Sequence, residues 1–307
     1  MVPRPAGTAV APQGMRRRFA RFACIDWSGA KGAWQKGIAL AICAQGDGAP
    51  RLLAPADGRW SRRSMLDWLL RQADAEADML IGVDFSAALP FADAGAYFPG
   101  LAGSPADARA LWRHVDEVCA DDPHLAASLY VTHPDIAPYF RIGTITGPRF
   151  ASADRNGRLR AVERLKASGR PTSCFNLVGA SQVGLSSLTG MRVLHQLSGD
   201  IPIWPFDAVP EKGPLLVEIY TSIAAIAAGR PRNATKMPDH RTLNDALAML
   251  GSRPVRGSGQ IDDHSSDALL TAAWLRRRAG DETLWDPPGL RADPSLAITE
   301  GWTFGVS

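Results

Sequence analysis

FACIDWSG, at Phe22–Gly29, and MLIGVDFS, at Met79–Ser86, decide how this chain reads. Each is an apolar run of strand length that ends on an aspartate, followed by an aromatic residue and a serine. A carboxylate at the end of a buried strand is costly to desolvate. Two more acids sit in comparable places. Glu218 interrupts the apolar run LLVEIY, and Asp267 lies in DDHSSDALLTAAWL, where an apolar helix opens. Four such acids spread over one chain make physical sense if the fold gathers them around a divalent cation.

Working outward, Phe19–Asp26, Gly37–Cys43 and Arg51–Ala54 read as three strands separated by glycine-rich turns, a β-meander. Ser61 is placed to cap a helix running to about Ala75, with Met65, Leu66, Leu69, Leu70 and Ala73 on one face. Met79–Asp84 is the fourth strand and Leu215–Tyr220 the fifth. Helices are expected near Pro105–Cys119, from Ser186 to Gly199, at Ser222–Ala228 and Thr242–Leu250, and at Asp263–Arg278. The tail Ile298–Val306 alternates Ile298, Trp302, Phe304 and Val306, the pattern of an added strand. The fold class expected is α/β: a mixed five-stranded sheet with flanking helices and a large insertion after strand four. Residues 1–18, rich in Ala, Pro and Gly and then basic, read as a disordered lead, with Met1 or Met15 as the native start. Residues 19–305 read as a single domain with the insertion at about 85–180.

The 307 residues are 46% hydrophobic and 21% charged, enough for a substantial core. A net charge of +3 is too small to mark a nucleic-acid binder by itself. No apolar run is long enough to span a bilayer. Cys24, Cys43, Cys119 and Cys174 are scattered without CxxC spacing, which argues against a zinc ribbon and fits buried thiols in a cytoplasmic protein. No GxSxG, no GxxxxGK[ST] and no strand-linked GxGxxG occurs, so nucleophile elbows and nucleotide loops are unsupported. His114, His124, His133, His195 and His240 have no metal spacing among themselves.

The candidate metal set is Asp26, Asp84, Glu218 and Asp267, with Asp263 and His264 beside them. Asp26 and Asp84 end strands that are expected to be neighbours, and two carboxylates that close repel without a cation. Asp262 and Asp263 also suit helix capping, whereas Asp267 lies a turn further in, against apolar residues. Glu218 serves as a ligand, or faces water if its strand is an edge. Arg141–Arg170 holds eight basic residues against Asp154 and Glu163, a run able to neutralise phosphates or simply to form a solvated face. Arg141, Arg149 and Arg155 from this run, with Ser28 and Lys31 after the first strand, are the candidate substrate contacts. GASQVGLSS at Gly179–Ser187 is a glycine–serine turn ahead of a helix, an ordinary cap or an anion site.

At CIDWSG, GVDFSAALP, VEIYTSIAA and DHSSDALLTAAW, and again at EGWTFG (Glu300–Gly305), the sequence resembles the domain of unknown function 429 family. That family is grouped with predicted nucleases of the RNase H-like fold. The likeness covers most of Phe19–Gly305 apart from the insertion. HxxDA at His264–Ala268 also resembles the last-helix pattern of RuvC-type resolvases. Thr221 and Ser222 stand where the family often has a proline. The resemblance implies an RNase H-like fold and Asp26, Asp84, Glu218 and Asp267 as ligands of Mg²⁺ or Mn²⁺. The expected function is a metal-dependent nuclease or phosphodiesterase acting on nucleic acid by two-metal-ion hydrolysis. Two rivals remain. IDWSGAKG with Lys31 distantly resembles the phosphate turn of actin-like phosphotransferases, and the fold also suits a non-catalytic nucleic-acid or protein binder.

Overall fold

The computed structural model describes residues 19–55, 57–150, 157–166, 171–178 and 183–307. The lead, residues 1–18, and Arg155 lie outside them. So do Gly179–Gln182, the first part of the glycine–serine turn.

The meander forms as expected. Strands β1 (Arg21–Asp26), β2 (Ala39–Ala44) and β3 (Arg51–Leu53) pair antiparallel in sequence. Ser61 then caps α1 (Arg62–Asp74), with a reciprocal bond between Ser61 and Ser64 at its first turn. Strand β4 (Met79–Asp84) returns parallel to β1, so the two aspartate-terminated runs are neighbours.

Between β4 and the next long strand the chain builds α2 (Ala108–Val118), α3 (Ser128–Thr132), a small sheet and then α4 (Val183–Gln196). The small sheet joins β5 (Arg141–Ile142), β6 (Ile145–Thr146) and β7 (Asn176–Leu177) in the order β6-β5-β7. Strands β8 (Ile203–Trp204) and β9 (Leu215–Glu218) complete the main sheet, followed by α5 (Thr221–Ala227), α6 (His240–Met249) and α7 (Asp263–Arg278). The short α8 (Pro288–Ala292) and α9 (Leu296–Thr299) end the chain.

The protein is thus mixed α/β, and its main sheet has six described strands in the order β3-β2-β1-β4-β9-β8 rather than five. The extra strand, β8, is two residues long. So short a segment shows no periodicity to read. The C-terminal tail is not a strand. Gly301 (φ +68°) and Gly305 (φ +98°) adopt left-handed backbone that breaks an extended run. Ile298 is exposed, while Trp302, Phe304 and Val306 are buried in the core on the α7 side.

The sheet separates two apolar layers. Ala23, Ile25, Ile81 and Val83 face α1, α2 and α4, whereas Phe22, Cys24, Leu80 and Val217 face α5, α6 and α7. This alternation is the period-two rule of a strand buried on both faces. It also splits the two signature segments. Asp26 and Asp84 turn toward α7, and the aromatic after each turns the other way. Trp27 and Phe85 meet edge to face at 5.4 Å. Trp27 donates from Nε1 to Thr189 (3.0 Å), and the Phe85 ring fills the space a Cβ on Gly190 would need. The serines of α4 finish the dock: Ser186 accepts from the Gly29 amide and Ser187 from the Ser86 amide, both at 3.1 Å.

Candidate functional site

Asp26 and Asp84 are register partners at the C-terminal ends of β1 and β4. Because partners in register share a face, both carboxylates project toward the start of α7. There Asp267 and His264 lie one turn apart, His264 first, and the helix is capped by Asp262, whose side chain accepts from the Ser265 amide at 2.9 Å. His264 Nδ1 lies 3.1 Å from Asp26 Oδ2. Asp26 and Asp267 are each only 6% exposed, although both carry carboxylates. Asp84 keeps some surface exposed and accepts from the Thr221 hydroxyl at 3.3 Å.

The electrostatics confirm that these three acids share one neighbourhood. Burial raises the pKa of Asp84, and the charges of Asp26 and Asp267 raise it further. Burial also raises Asp26, against the opposing hydrogen bond from His264. Asp267 is raised by burial despite Lys236. The Cys24 thiol beneath them is pushed up by burial and then by Asp26, Asp84 and Asp267. His264 is raised by its hydrogen bond to Asp26. Three carboxylates that all resist ionisation form a site short of positive charge.

Part of that deficit is met by a residue the sequence reading passed over. Lys236 Nζ donates to Asp267 at 2.8 Å and stands 3.6 Å from Asp263. Burial alone would lower its pKa, but Asp267, Asp263 and Asp26 together outweigh burial and the net shift is upward. Lys236 comes from the connection between α5 and α6, where no periodicity singles out one side chain. The only local signal is an excess of base, Arg230, Arg232 and Lys236, ahead of an acid-rich helix start.

The oxygen-rich donor set suits a hard divalent ion such as Mg²⁺ or Mn²⁺ in kind. Among the described residues, however, no group of three or more His, Cys, Asp or Glu side chains stands close enough together to hold one as packed here. The Lys236 ammonium lies against Asp267 and Asp263 instead, so a cation taken up at the same oxygen of Asp267 competes with it.

Glu218 does not join this set. Its register partner on β4 is Val83, not Asp84, so its side chain projects from the opposite face of the sheet. There Arg160 grips both of its oxygens, at 2.7 and 2.6 Å, the Ala87 amide donates at 2.7 Å, and the Thr303 hydroxyl donates at 2.5 Å. Glu218 is neither an edge residue in water nor a ligand beside Asp26. It is 1% exposed and saturated with donors.

Two arginines of the basic run form neither a solvated face nor a phosphate surface. Arg160 is fully buried between Glu218 and Glu163. Arg158 is committed to Asp93 and to the carbonyls of Pro90, Ala96 and Tyr97. Arg164 reaches the Leu159 carbonyl and Asp93. Arg160 fastens the segment after β4 to the face opposite the acids, and Arg158 and Arg164 tie that segment to itself. Arg149 lies over the Tyr139 ring and donates to its hydroxyl at 2.7 Å, and Arg141 is a half-buried residue of β5. Neither is brought to the acid cluster. Ser28 and Lys31 do follow Asp26 directly, and Lys31 is exposed.

Compared with known proteins, the chain matches no family model, no curated protein and no solved structure. All four cysteines are free and buried, and burial pushes the Cys43 and Cys174 thiols up to about 11. Among the described residues no helix is long and apolar enough to cross a membrane.

Proposed function

We propose that this protein is a metal-dependent phosphodiesterase acting on nucleic acid, on an RNase H-like fold of the kind its resemblance to the domain of unknown function 429 family implies. The observation that carries this reading is the register pair Asp26–Asp84, closed over by Asp267 and His264 from α7. The antiparallel meander, with the first and fourth strands as parallel neighbours, supports the fold assignment.

In this reading Asp26, Asp84 and Asp267 would hold Mg²⁺ or Mn²⁺ after drawing closer together than they stand here, with Glu218 excluded by its face. When bound, the ion supplies an activated water and neutralises charge on the scissile phosphate. The chain's own residues do the rest. His264, held by Asp26 and with its side chain 45% exposed, is placed to hold or deliver a proton at the open side of the site. Lys236 screens the carboxylates until substrate and cation arrive. The buried base of the site, Cys24 and its apolar neighbours, keeps water out and strengthens every charge interaction above it.

The test is cleavage of single-stranded, duplex and branched oligonucleotides by purified protein in Mg²⁺ or Mn²⁺. Wild type is expected to cut at least one class. Asp26→Asn should lose about a hundredfold or more, because the ion's contribution is several kcal/mol. Equal inactivity of wild type and Asp26→Asn on every substrate sinks the reading. Thermal stabilisation by ATP–Mg²⁺ but not by oligonucleotides would replace it with a phosphotransferase.

A further inference from the structure

Beside the acid cluster, the loop from β1 to β2 presents a surface suited to a nucleobase. Trp27–Ile38 leaves the strand that ends on Asp26, and it is pinned at both ends. Arg62, fully buried, donates to the Ser28 carbonyl at 3.2 and 3.1 Å and also to the Ala30 carbonyl. At the far end Gln35 is buried. Its amide donates to the Trp60 carbonyl at 2.8 Å and its side chain to the Gly32 carbonyl at 2.7 Å. A Cβ on Gly37 would stand 3.1 Å from the His264 ring, so the return leg of the loop lies directly against the site.

The loop shows Lys31 and Trp34 to solvent between the pins, and Lys36 just past Gln35. Trp34 is 47% exposed, and none of the other eight tryptophans is exposed. Leaving an indole in water is unfavourable unless something covers it. The segment Trp27–Ile38 carries two lysines and no acid, a charge that favours an anionic partner over a cationic one. Trp34 lies three residues from Gly37, at most about 10 Å of extended chain.

We propose that Trp34 is a stacking platform for an unpaired base, with Lys31 and Lys36 on the adjoining phosphates, and that this loop makes single-stranded nucleic acid the substrate delivered to Asp26. The assignment of Asp26 as the destination rests on the phosphodiesterase reading above. Stacking requires a base with a free face, which a duplex hides. The two pinned ends hold the loop backbone in place before the strand arrives, so less ordering entropy is lost on binding.

The experiment is fluorescence anisotropy of a labelled single-stranded oligonucleotide with the full chain in EDTA, where binding is read without cleavage. Trp34→Ala should weaken binding about tenfold, the usual worth of one base–aromatic stack. Trp34→Phe should recover most of it. Lys31→Ala with Lys36→Ala should weaken binding and flatten its salt dependence. An unchanged thermal midpoint for Trp34→Ala confirms that the fold is intact. The proposal is overturned if wild type binds no single strand, if Trp34→Ala binds as wild type does, or if a duplex binds equally well. It is also overturned if the ring is protected only by a protein partner. The two readings fail separately. Trp34-dependent binding without Mn²⁺-dependent cleavage removes the phosphodiesterase and keeps the platform. Cleavage with a KM insensitive to Trp34 does the reverse.

Discussion

Asp84 and Glu218 end neighbouring parallel strands, yet their surroundings are opposite in kind. Glu218 receives both arms of Arg160, the Ala87 amide and the Thr303 hydroxyl. Arg160 is held by Glu163 in turn, and Glu163 accepts from the Tyr220 hydroxyl at 3.0 Å. Nearby, Glu300 ties down the Phe91, Ala92 and Ala161 amides. Asp84 has Thr221 beside it and two other carboxylates, and its pKa is driven up by burial and by them. A buried carboxylate whose oxygens are all satisfied fastens the structure. One left short of donors among like charges is where the proposed reading puts a cation.

The strongest way to break this contrast is to attack the satisfied side. Arg160→Met leaves Glu163 and Glu218 buried without their cation. The expected loss is about 3–5 kcal/mol, read by urea denaturation. A small loss would mean that Glu218 is not structural and would reopen its place among the ligands.

The opposite outcome is expected at the deficient side. Asp84→Asn should remove activity yet raise stability at neutral pH by about 1 kcal/mol, because it deletes a repelled charge. The pH dependence follows from the direction of the shifts. Asp26, Asp84 and Asp267 are all raised, so from about pH 4 upward the folded state binds more protons than the unfolded one. Stability therefore falls as pH rises through their raised values. His264, also raised, adds stability that is complete below its unfolded pKa and is lost as pH rises through the folded one. Asp84→Asn should flatten this decline, and Mn²⁺ should offset it in wild type. A profile that is the same for wild type and Asp84→Asn would sink the account.

The smallest effect concerns the lysine. Lys236→Ala removes the competitor for the carboxylates and should tighten Mn²⁺ binding severalfold by calorimetry, within the few tenths to about 1 kcal/mol of an exposed ion pair. Weaker binding would instead make Lys236 part of the site rather than its placeholder.

Much of the frame was legible because it is local. Ser61 and its helix, the meander, both aspartate-terminated strands and the bounds Asp263–Arg278 follow from capping and periodicity. The two-residue β8 and the glycine-broken tail left no period to read. The basic run stayed open because composition does not reveal partners. Arg158 and Arg160 are consumed by Asp93, Glu163 and Glu218, which lie up to 65 residues away in sequence.

The sequence by itself determined that Asp26 and Asp84 end buried strands, that Trp27 and Phe85 follow them, and that Asp267 and His264 share a helix start. Only the tertiary structure decided which acids meet. LLVEIY is buried on both faces, so its hydrophobicity carries no alternation from which to read a side. The face of Glu218 was set by strand register, a long-range choice in which a shift of one residue moves a side chain through the sheet. That register paired Glu218 with Val83 and gave it to Arg160. It paired Asp84 with Asp26, and left the two beneath the helix that carries Asp267.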